Sequence, residues 1–267
     1  MLSAGDQPRD GNDRDDRNDG NDGPVTTQSV NPKDLTGDRI SWLARGLATA
    51  LPRVQIGDLL HTHPELLTEA SDITVAVAQP SGEAVGLLAT QRLALPDGLR
   101  LTHITAQFIG ERYRRLGGFT ASWSHHLRVG YPDGLEDFRT LAAKTYSPRM
   151  YASLRLLKRF PGVTIYPDID RPDGQNSNLA RLATELSERV CPGCDFEPTT
   201  GVVKNAVRVP ELYRERLHGA DPKVNEHFAR HLGPQDRFLC IASIPADQIH
   251  RFTSRYFTGT GTRSGTN

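Results

Sequence analysis

The stretch HITAQFIGERYRRLGGFT, residues 103–120, decides the fold that the sequence predicts. It begins as an apolar, strand-like run and passes through a basic, glycine-containing turn into a segment with helical spacing over 114–128. Free backbone N–H groups at the start of a helix, its dipole and nearby arginines attract anions, and glycine lets a phosphate approach closely. The sequence therefore predicts a strand–turn–helix unit whose turn either binds phosphate or is an ordinary connection with a solvated basic face.

The segments on either side of this unit alternate between helix and strand patterns. Helical spacing predicts helices over 39–51, 54–61, 64–70 and 148–160, and strand patterns cover 73–79, 84–93, 99–109, 138–146 and 163–166. An antiparallel meander thus leads into a β–α–β unit. We expect a mixed α/β (α+β) fold with a mainly antiparallel sheet flanked by helices, followed by an additional C-terminal α/β segment.

This order of elements resembles the GNAT (Gcn5-related N-acetyltransferase) superfamily over about residues 50–168. The family's pyrophosphate-binding turn follows the pattern Arg/Gln-x-x-Gly-x-Gly/Ala. Arg114 and Gly117 stand at its first and fourth positions, and Phe119 stands at the sixth, where the family has Gly or Ala. The Ser147-Pro148 pair is similar to a later Asn-Pro motif of the family.

The resemblance implies that the turn and the end of the preceding strand bind acetyl-CoA, which would serve as the acyl donor. The residues to which it assigns donor binding are Gln107, Phe108, Ile109, Arg112, Arg114, Arg115, Gly117, Gly118, Phe119 and Thr120. It also implies that a backbone N–H around residues 106–108 stabilises the oxyanion formed during acyl transfer.

The candidates for proton transfer are His103, Glu111 and Tyr151, and His125 is a further candidate base near this strand. Strand alternation predicts that His103 and Gln107 share one face of the sheet. A hydrogen-bonded interior histidine is an equal alternative for His103, and packing is the favoured role for Tyr151. The family's catalytic tyrosine position is occupied here by Leu154.

The resemblance implies an acyl-CoA-dependent N-acyltransferase that acts on a small-molecule amine. Two alternatives stay open. One is a catalytically silent GNAT-like CoA-binding or scaffold protein, suggested by Phe119 and Leu154. The other is a GNAT-like transferase that uses an aminoacyl-tRNA donor.

The remaining chain divides by composition. Residues 1–35 are predicted to be a disordered Asp/Asn/Gly-rich tail, since residues 1–23 hold seven aspartates and three arginines and little that could be buried. Residues 36–170 form the GNAT-like core, 171–257 an α/β extension or lid, and 258–267 a flexible tail. The extension carries helical patterns over 179–190, 211–217 and 224–232 and strand patterns over 201–209 and 238–244. We expect it to shape acceptor choice or to form a homodimer.

The charge and the cysteine content indicate which partners, which compartment and which metal sites to expect. The 32 basic and 32 acidic side chains cancel, so neither nucleic acid nor a membrane is an expected partner. Three cysteines do not make a disulfide framework, which favours the cytoplasm. Cys191, Cys194, His227 and His231 have zinc-binding chemistry, but 32 residues separate the two pairs, and we expect no metal site.

Overall fold

The computed structural model describes residues 24–206, 212–213 and 217–257, with side chains described as far as residue 254. The strands are β1 (Val25–Val30), β2 (Asp72–Ala78), β3 (Ala84–Ala94), β4 (Arg100–Ile109), β5 (Thr140–Thr145), β6 (Thr164–Tyr166), β7 (Phe196–Glu197), β8 (Val202–Val203) and β9 (Arg237–Ser243). The helices are α1 (Gly37–Ala50), α2 (Ile56–Thr62), α3 (Glu65–Thr68), α4 (Glu111–Arg115), α5 (Gly118–Gly130), α6 (Pro148–Arg155), α7 (Ser177–Val190), α8 (Pro222–His231) and α9 (Ala246–Phe257).

The strands form one sheet in the order β1-β2-β3-β4-β5-β9-β8-β7, and β6 pairs with β9. Among the paired strands of the described chain, only β4 and β5 run parallel. The predicted fold class, a mixed α/β protein with a mainly antiparallel sheet flanked by helices, is confirmed.

Helices cover both faces of the sheet. On one face, α5, α6, α8 and α9 bury a core that includes Leu88, Ile104, Leu141 and Phe238, and we call it the α5 face. On the other face, α1, α2 and α3 cover the β1–β4 half, and α7 covers β9. We call this second face the α1 face. The apolar alternation of the strands thus supplies two cores on opposite sides of one sheet.

Several elements differ from the sequence prediction. Strand β1 lies inside the predicted tail 1–35 and pairs along its whole length with β2, so order begins before residue 36. The predicted helix 114–128 is divided at Gly117, which adopts φ +82° and precedes α5. Strand β8 covers only Val202–Val203 of the predicted 201–209.

Other predictions fall outside the described residues. The predicted tail up to residue 23 and the tail 258–267 both lie there, as do 207–209 of the predicted strand. Of the predicted helix 211–217, Leu212, Tyr213 and Leu217 are described, and none of these three is helical. Tyr213 forms an isolated bridge with Val54. The C-terminal extension adds β7, β8 and β9 to the common sheet. No helix in the described parts of the chain is both long and apolar enough to cross a bilayer.

Candidate active site

The central feature of the sheet is the divergence of β4 from β5. Strand β5 pairs only with Thr102–Ile104 of β4, so the outer edge of Thr105–Ile109 is not paired with β5. Thr105, Gln107 and Phe108 are half-buried there, as is Tyr146 just beyond the end of β5. The two strands therefore open a cleft that leads from the sheet towards α4 and α5.

A bulge in β4 lies at the start of this cleft. Ala89 of β3 faces Ala106 while Thr90 faces Ile104, which leaves Thr105 as the extra residue. Its Oγ1 lies 3.2 Å from the Ala89 carbonyl oxygen and 3.1 Å from that of Leu66. Because a shift of one residue exchanges the two faces of a strand, the bulge changes which side chains point into each core.

The bulge corrects the prediction that His103 and Gln107 share a face. Gln107 lies opposite Leu88, whose side chain belongs to the core of the α5 face. His103 lies opposite Gln91 and Ala142, and Ala142 packs in the core under α7 on the α1 face. Phe108 packs against the α1-face core, and Ile109 packs beside Val85 in a small separate cluster.

Two glycines in the turn after β4 allow the N-terminus of α5 to be exposed. At Gly117 a side chain would be strained by the positive φ, although the space around its Cα is open. At Gly118 an added Cβ would lie 2.8 Å from the Tyr113 carbonyl oxygen, so only glycine fits. The Phe119 ring packs against the core of the α5 face, and the backbone of residues 118–120 begins the thirteen-residue helix α5. These N–H groups and the helix dipole make the turn a site for anionic groups.

Arg114, in this turn, is close enough to Arg149 of α6 for the two charges to interact. Arg114 Nη2 donates to the Ile109 carbonyl oxygen at 3.1 Å, and Arg149 Nε, from the first turn of α6, donates to the His218 carbonyl oxygen at 2.9 Å. Burial, and then the positive charge of Arg149, lower the pKa of Arg114 from its ordinary value. Two like charges brought together at an open cleft favour an anionic ligand that would offset their repulsion. The sequence prediction included Arg114 but missed Arg149, which follows the quoted Ser147-Pro148 pair.

The other predicted donor-binding residues lie around the same turn. Arg112 and Arg115 are exposed on α4, with the Arg112 guanidinium carbon 5.8 Å from the centre of the Tyr113 ring. Thr120 is half-buried in the first turn of α5.

His103 is an interior residue without the expected hydrogen bonds. It is 6% exposed, and within the described part of the chain neither ring nitrogen has a hydrogen-bond partner. Burial, with the positive charge of Lys144 adding to it, lowers the pKa of His103 to about 4. The ring is therefore neutral at pH 7, and one of its nitrogens carries a lone pair.

Two of the other candidates for proton transfer, Glu111 and Tyr151, lie elsewhere. Glu111 is exposed in the first turn of α4, beyond the end of β4. Tyr151 is buried in the α5-face core, where its hydroxyl donates to the Pro167 carbonyl oxygen at 2.7 Å and accepts from the Ile169 N–H at 3.3 Å. Burial raises the pKa of Tyr151 well above its ordinary value. These contacts favour the packing role of Tyr151.

The cysteine and histidine pairs are not brought together. Cys191 belongs to the core under α7, whereas the His227 ring stacks on Phe238 in the core of the opposite face. Within the described ranges, no group of three or more His, Cys, Asp or Glu residues is arranged to hold a metal ion.

The strand order, the bulge and the divergence of β4 from β5 define a GNAT-like fold with a cleft between the two strands. Several solved structures are similar to this chain, at low identity. YhbS of Escherichia coli, a GNAT family N-acetyltransferase in complex with CoA, is 17% identical over 53% of this chain and 69% of its own, with a TM-score of 0.35. Arabidopsis thaliana Naa50, in complex with the bisubstrate analogue CoA-Ac-MVNAL, is 13% identical over 81% of this chain and 97% of its own, with a TM-score of 0.39.

A third similar structure is an aminoglycoside acetyltransferase from an uncultured soil metagenomic sample. It is 18% identical over 41% of this chain and 74% of its own, with a TM-score of 0.32. No protein-family model matches the chain, and no curated protein matches it.

Proposed function

We propose that this protein is an acyl-CoA-dependent N-acyltransferase that moves an acetyl or other acyl group from CoA to a small amine. The observation that carries the proposal is the cleft between β4 and β5, which leads to the N-terminus of α5 beside Arg114 and Arg149. The cleft supplies an extended strand edge for a long ligand, and the turn supplies N–H groups and cations for its phosphates.

The acyl donor is placed by two parts of the chain in this proposal. The N–H groups of Gly118, Phe119 and Thr120 and the guanidinium groups of Arg114 and Arg149 hold the phosphates. The β5-facing edge of residues 106–109 lines the rest of the donor and offers a backbone N–H to the acyl oxygen. Because the Phe119 ring is turned into the core, its bulk is accommodated at the sixth motif position.

The acceptor is placed on the α1 face, where His103 lies two residues before the bulge. In the reaction the amine nitrogen forms a bond to the acyl carbon, and the bond from that carbon to the CoA sulfur breaks. His103 takes the proton that the amine loses, and the departing thiolate takes up a proton from solvent. Glu111 is less suited to this step because it lies at the phosphate end of the cleft. Six strand positions separate His103 from Ile109, roughly 20 Å at about 3.3 Å per residue.

A second candidate function is that of a silent CoA-binding protein. The observation that favours it is that Tyr151 is bonded to backbone groups in the core and that Leu154, at the family's tyrosine position, is buried.

We also place the protein in the cytoplasm, because Cys191, Cys194 and Cys240 are free thiols.

Calorimetric titration of acetyl-CoA and free CoA into the purified chain tests the proposal. We expect micromolar binding that weakens about tenfold or more in Arg114→Gln, because a charged hydrogen bond contributes about 1.5–3 kcal/mol. Gly117→Val should weaken binding similarly, since it forces a β-branched residue into a positive φ. Arg128→Gln, at the far end of α5, is the matched control and should bind normally.

An amine panel with CoA-thiol release as the readout then separates the two functions. Acyl transfer to any amine supports the transferase, whereas binding without transfer supports the silent protein. If neither nucleotide binds, both functions are excluded.

A further inference from the structure

Three nitrogen-bearing side chains lie in a row across the α1 face, and we call them the basic row: His103, Lys144 and Arg237. His103 on β4 lies opposite Ala142 of β5, and Lys144 is two residues further along the same face. Lys144 in turn lies opposite Leu239 of β9, and Arg237 is two residues away, again on that face. Diagonal neighbours of this kind on one face of a sheet are about 7–8 Å apart. The row therefore runs from the start of the cleft to the end of β5.

Arg237 is a buried cation that forms no ion pair with any carboxylate among the described residues. It is 6% exposed, and its Nη1 donates to the carbonyl oxygens of Asp236 at 2.7 Å and Pro234 at 3.2 Å. Burial lowers the pKa of Arg237 to about 10. In the described parts of the chain, no carboxylate forms an ion pair with Arg237 or Lys144. Buried charges are usually paired, so this arrangement calls for an explanation.

The carboxylate next in sequence to Arg237 is used elsewhere. Asp236 accepts from Lys204 Nζ at 3.1 Å, from the Asn205 N–H at 3.1 Å and from the Gly233 N–H at 3.0 Å. These three bonds fix the Asp236 carboxylate on the loop around residues 204–205 and 233. The negative charge nearest in sequence is therefore committed to that loop.

The other polar neighbours of the basic row are a thiol and two tyrosines. Cys191 lies beside Lys144, and burial raises the pKa of its thiol. Tyr146 and Tyr213 stack with ring centres 6.1 Å apart, and the Arg237 guanidinium carbon lies 4.9 Å from the centre of the Tyr146 ring. Burial also raises the pKa of the Tyr213 hydroxyl. These contacts surround the cations with thiol and aromatic groups. The Asp236 carboxylate raises the pKa of Arg237 against the effect of burial, although the two form no ion pair.

The C-terminal extension completes this side of the cleft. The Gln55 N–H, at the start of α2, donates to the Leu212 carbonyl oxygen at 2.8 Å, and Tyr213 bridges to Val54. Tyr213 therefore lies between the α1–α2 connection and the end of β5. Tyr213 packs against the α1-face core and Tyr146 against the α5-face core, so the two rings meet at the end of β5.

We propose that the acceptor amine carries a carboxylate, as an amino acid does, and that Lys144 and Arg237 bind this carboxylate while the amine is placed at His103. This inference rests on the proposed acyltransferase function and names its substrate class. It gives an anionic partner to Lys144 and Arg237, which form no ion pair within the described residues. It also gives a polar partner to the His103 ring. The stacked rings of Tyr146 and Tyr213 would line the side of the site next to Arg237.

Matched acceptor pairs test the proposal on the full chain with saturating acetyl-CoA. Each pair is an amine with a carboxylate and its carboxamide, for example phenylalanine and phenylalaninamide, or 4-aminobutyrate and 4-aminobutyramide. We expect kcat/KM to be about 10- to 100-fold higher for the acid of at least one pair, the range that a charged hydrogen bond provides. Equal kcat/KM for acids and amides throughout would overturn the proposal and leave the acyltransferase function intact.

Variants test whether Arg237 and Lys144 cause the preference for acids over amides. Arg237→Gln and Lys144→Gln should lower kcat/KM for the acid towards that of its amide, with the amide unchanged. Lys204→Gln removes a cation that already has a carboxylate partner and should keep the preference for acids. Thermal unfolding of each variant identifies those that fail to fold.

A binding experiment tests the carboxylate site without requiring turnover. N-acetylphenylalanine and its amide are titrated calorimetrically into the wild-type chain in the presence of CoA. We expect the acid to bind about tenfold or more tightly than the amide, and Arg237→Gln or Lys144→Gln to remove the difference. If CoA binds but no amine is acylated, the acyltransferase function fails, and this binding experiment alone decides whether the carboxylate site exists. No binding of the acid would overturn the site.

Discussion

Each face of the sheet buries a histidine, and the two histidines have opposite surroundings. On the α5 face, His126 has both ring nitrogens satisfied, Nδ1 lying 3.0 Å from Thr74 Oγ1 and Nε2 lying 2.8 Å from Thr90 Oγ1. On the α1 face, neither ring nitrogen of His103 has a partner in the described chain. Burial is the main cause that lowers the pKa of each ring to about 4.

The difference separates a structural histidine from a candidate functional one. A buried polar ring with both partners stabilises the fold, whereas a buried ring without partners destabilises it unless something else, such as a ligand, bonds to it. Proteins keep such unfavourable groups mainly where activity requires them. We therefore expect the α5 face to respond to mutation through stability and the α1 face through activity.

The largest expected effect is on turnover in His103→Leu. Loss of the proposed proton acceptor should lower kcat about 100-fold or more, the usual range for general base catalysis. The free energy of unfolding should stay the same or rise by up to about 2 kcal/mol, since an unsatisfied buried group is removed. Urea unfolding and CoA-thiol release on one preparation measure both.

His126→Leu is the matched comparison for that variant. It should lower the free energy of unfolding by about 2–4 kcal/mol, because the Thr74 and Thr90 hydroxyls lose their shared partner. Its kcat at a temperature where it is folded should be within a few-fold of wild type. Stability losses of the same size in both variants would contradict the distinction between the faces.

The difference between the two faces of the sheet could not be predicted from the sequence, although most of the strands and helices could. The runs that became β2, β3, β4 and α1 have clear apolar periodicity, and the turn at Gly117 carries its own glycine signal. The bulge at Thr105 has no comparable signal, yet it alone moves Gln107 to the α5 face.

Long-range contacts account for most of what sequence reasoning missed. Lys144 and Arg237 are far apart in the chain and become neighbours only because β5 pairs with β9. Strand β1 is polar and follows an aspartate-rich segment, so its pairing with β2 rather than its composition makes it a strand. The sequence patterns also gave no sign of helix α9, which packs Ile249 and Phe252 into the α5-face core.

A further prediction concerns how the free energy of unfolding depends on pH through His103 and His126. For both, the folded pKa lies below the unfolded value of about 6.5, so stability is complete above pH 6.5 and is lost as the pH falls towards 4. Each ring should account for a loss of roughly 3 kcal/mol over that interval. Urea unfolding at pH 7, 6 and 5 measures the slope.

The control is the His103→Leu variant, which should take up about one proton fewer on unfolding near pH 5. Its free energy of unfolding should therefore change less steeply with pH. Identical slopes for this variant and wild type would mean that His103 does not titrate with a lowered pKa.

The smallest expected effect is that of Tyr151→Phe, which tests whether the α5 face contributes to catalysis at all. The change removes a hydroxyl that donates to Pro167 and accepts from Ile169, so the free energy of unfolding should fall by about 1 kcal/mol. Because that hydroxyl is fully used in the core, kcat should stay within about twofold of wild type, and the pH dependence of kcat should not change. A tenfold loss of kcat with normal stability would instead give Tyr151 a part in proton transfer, and catalysis would then draw on both faces of the sheet.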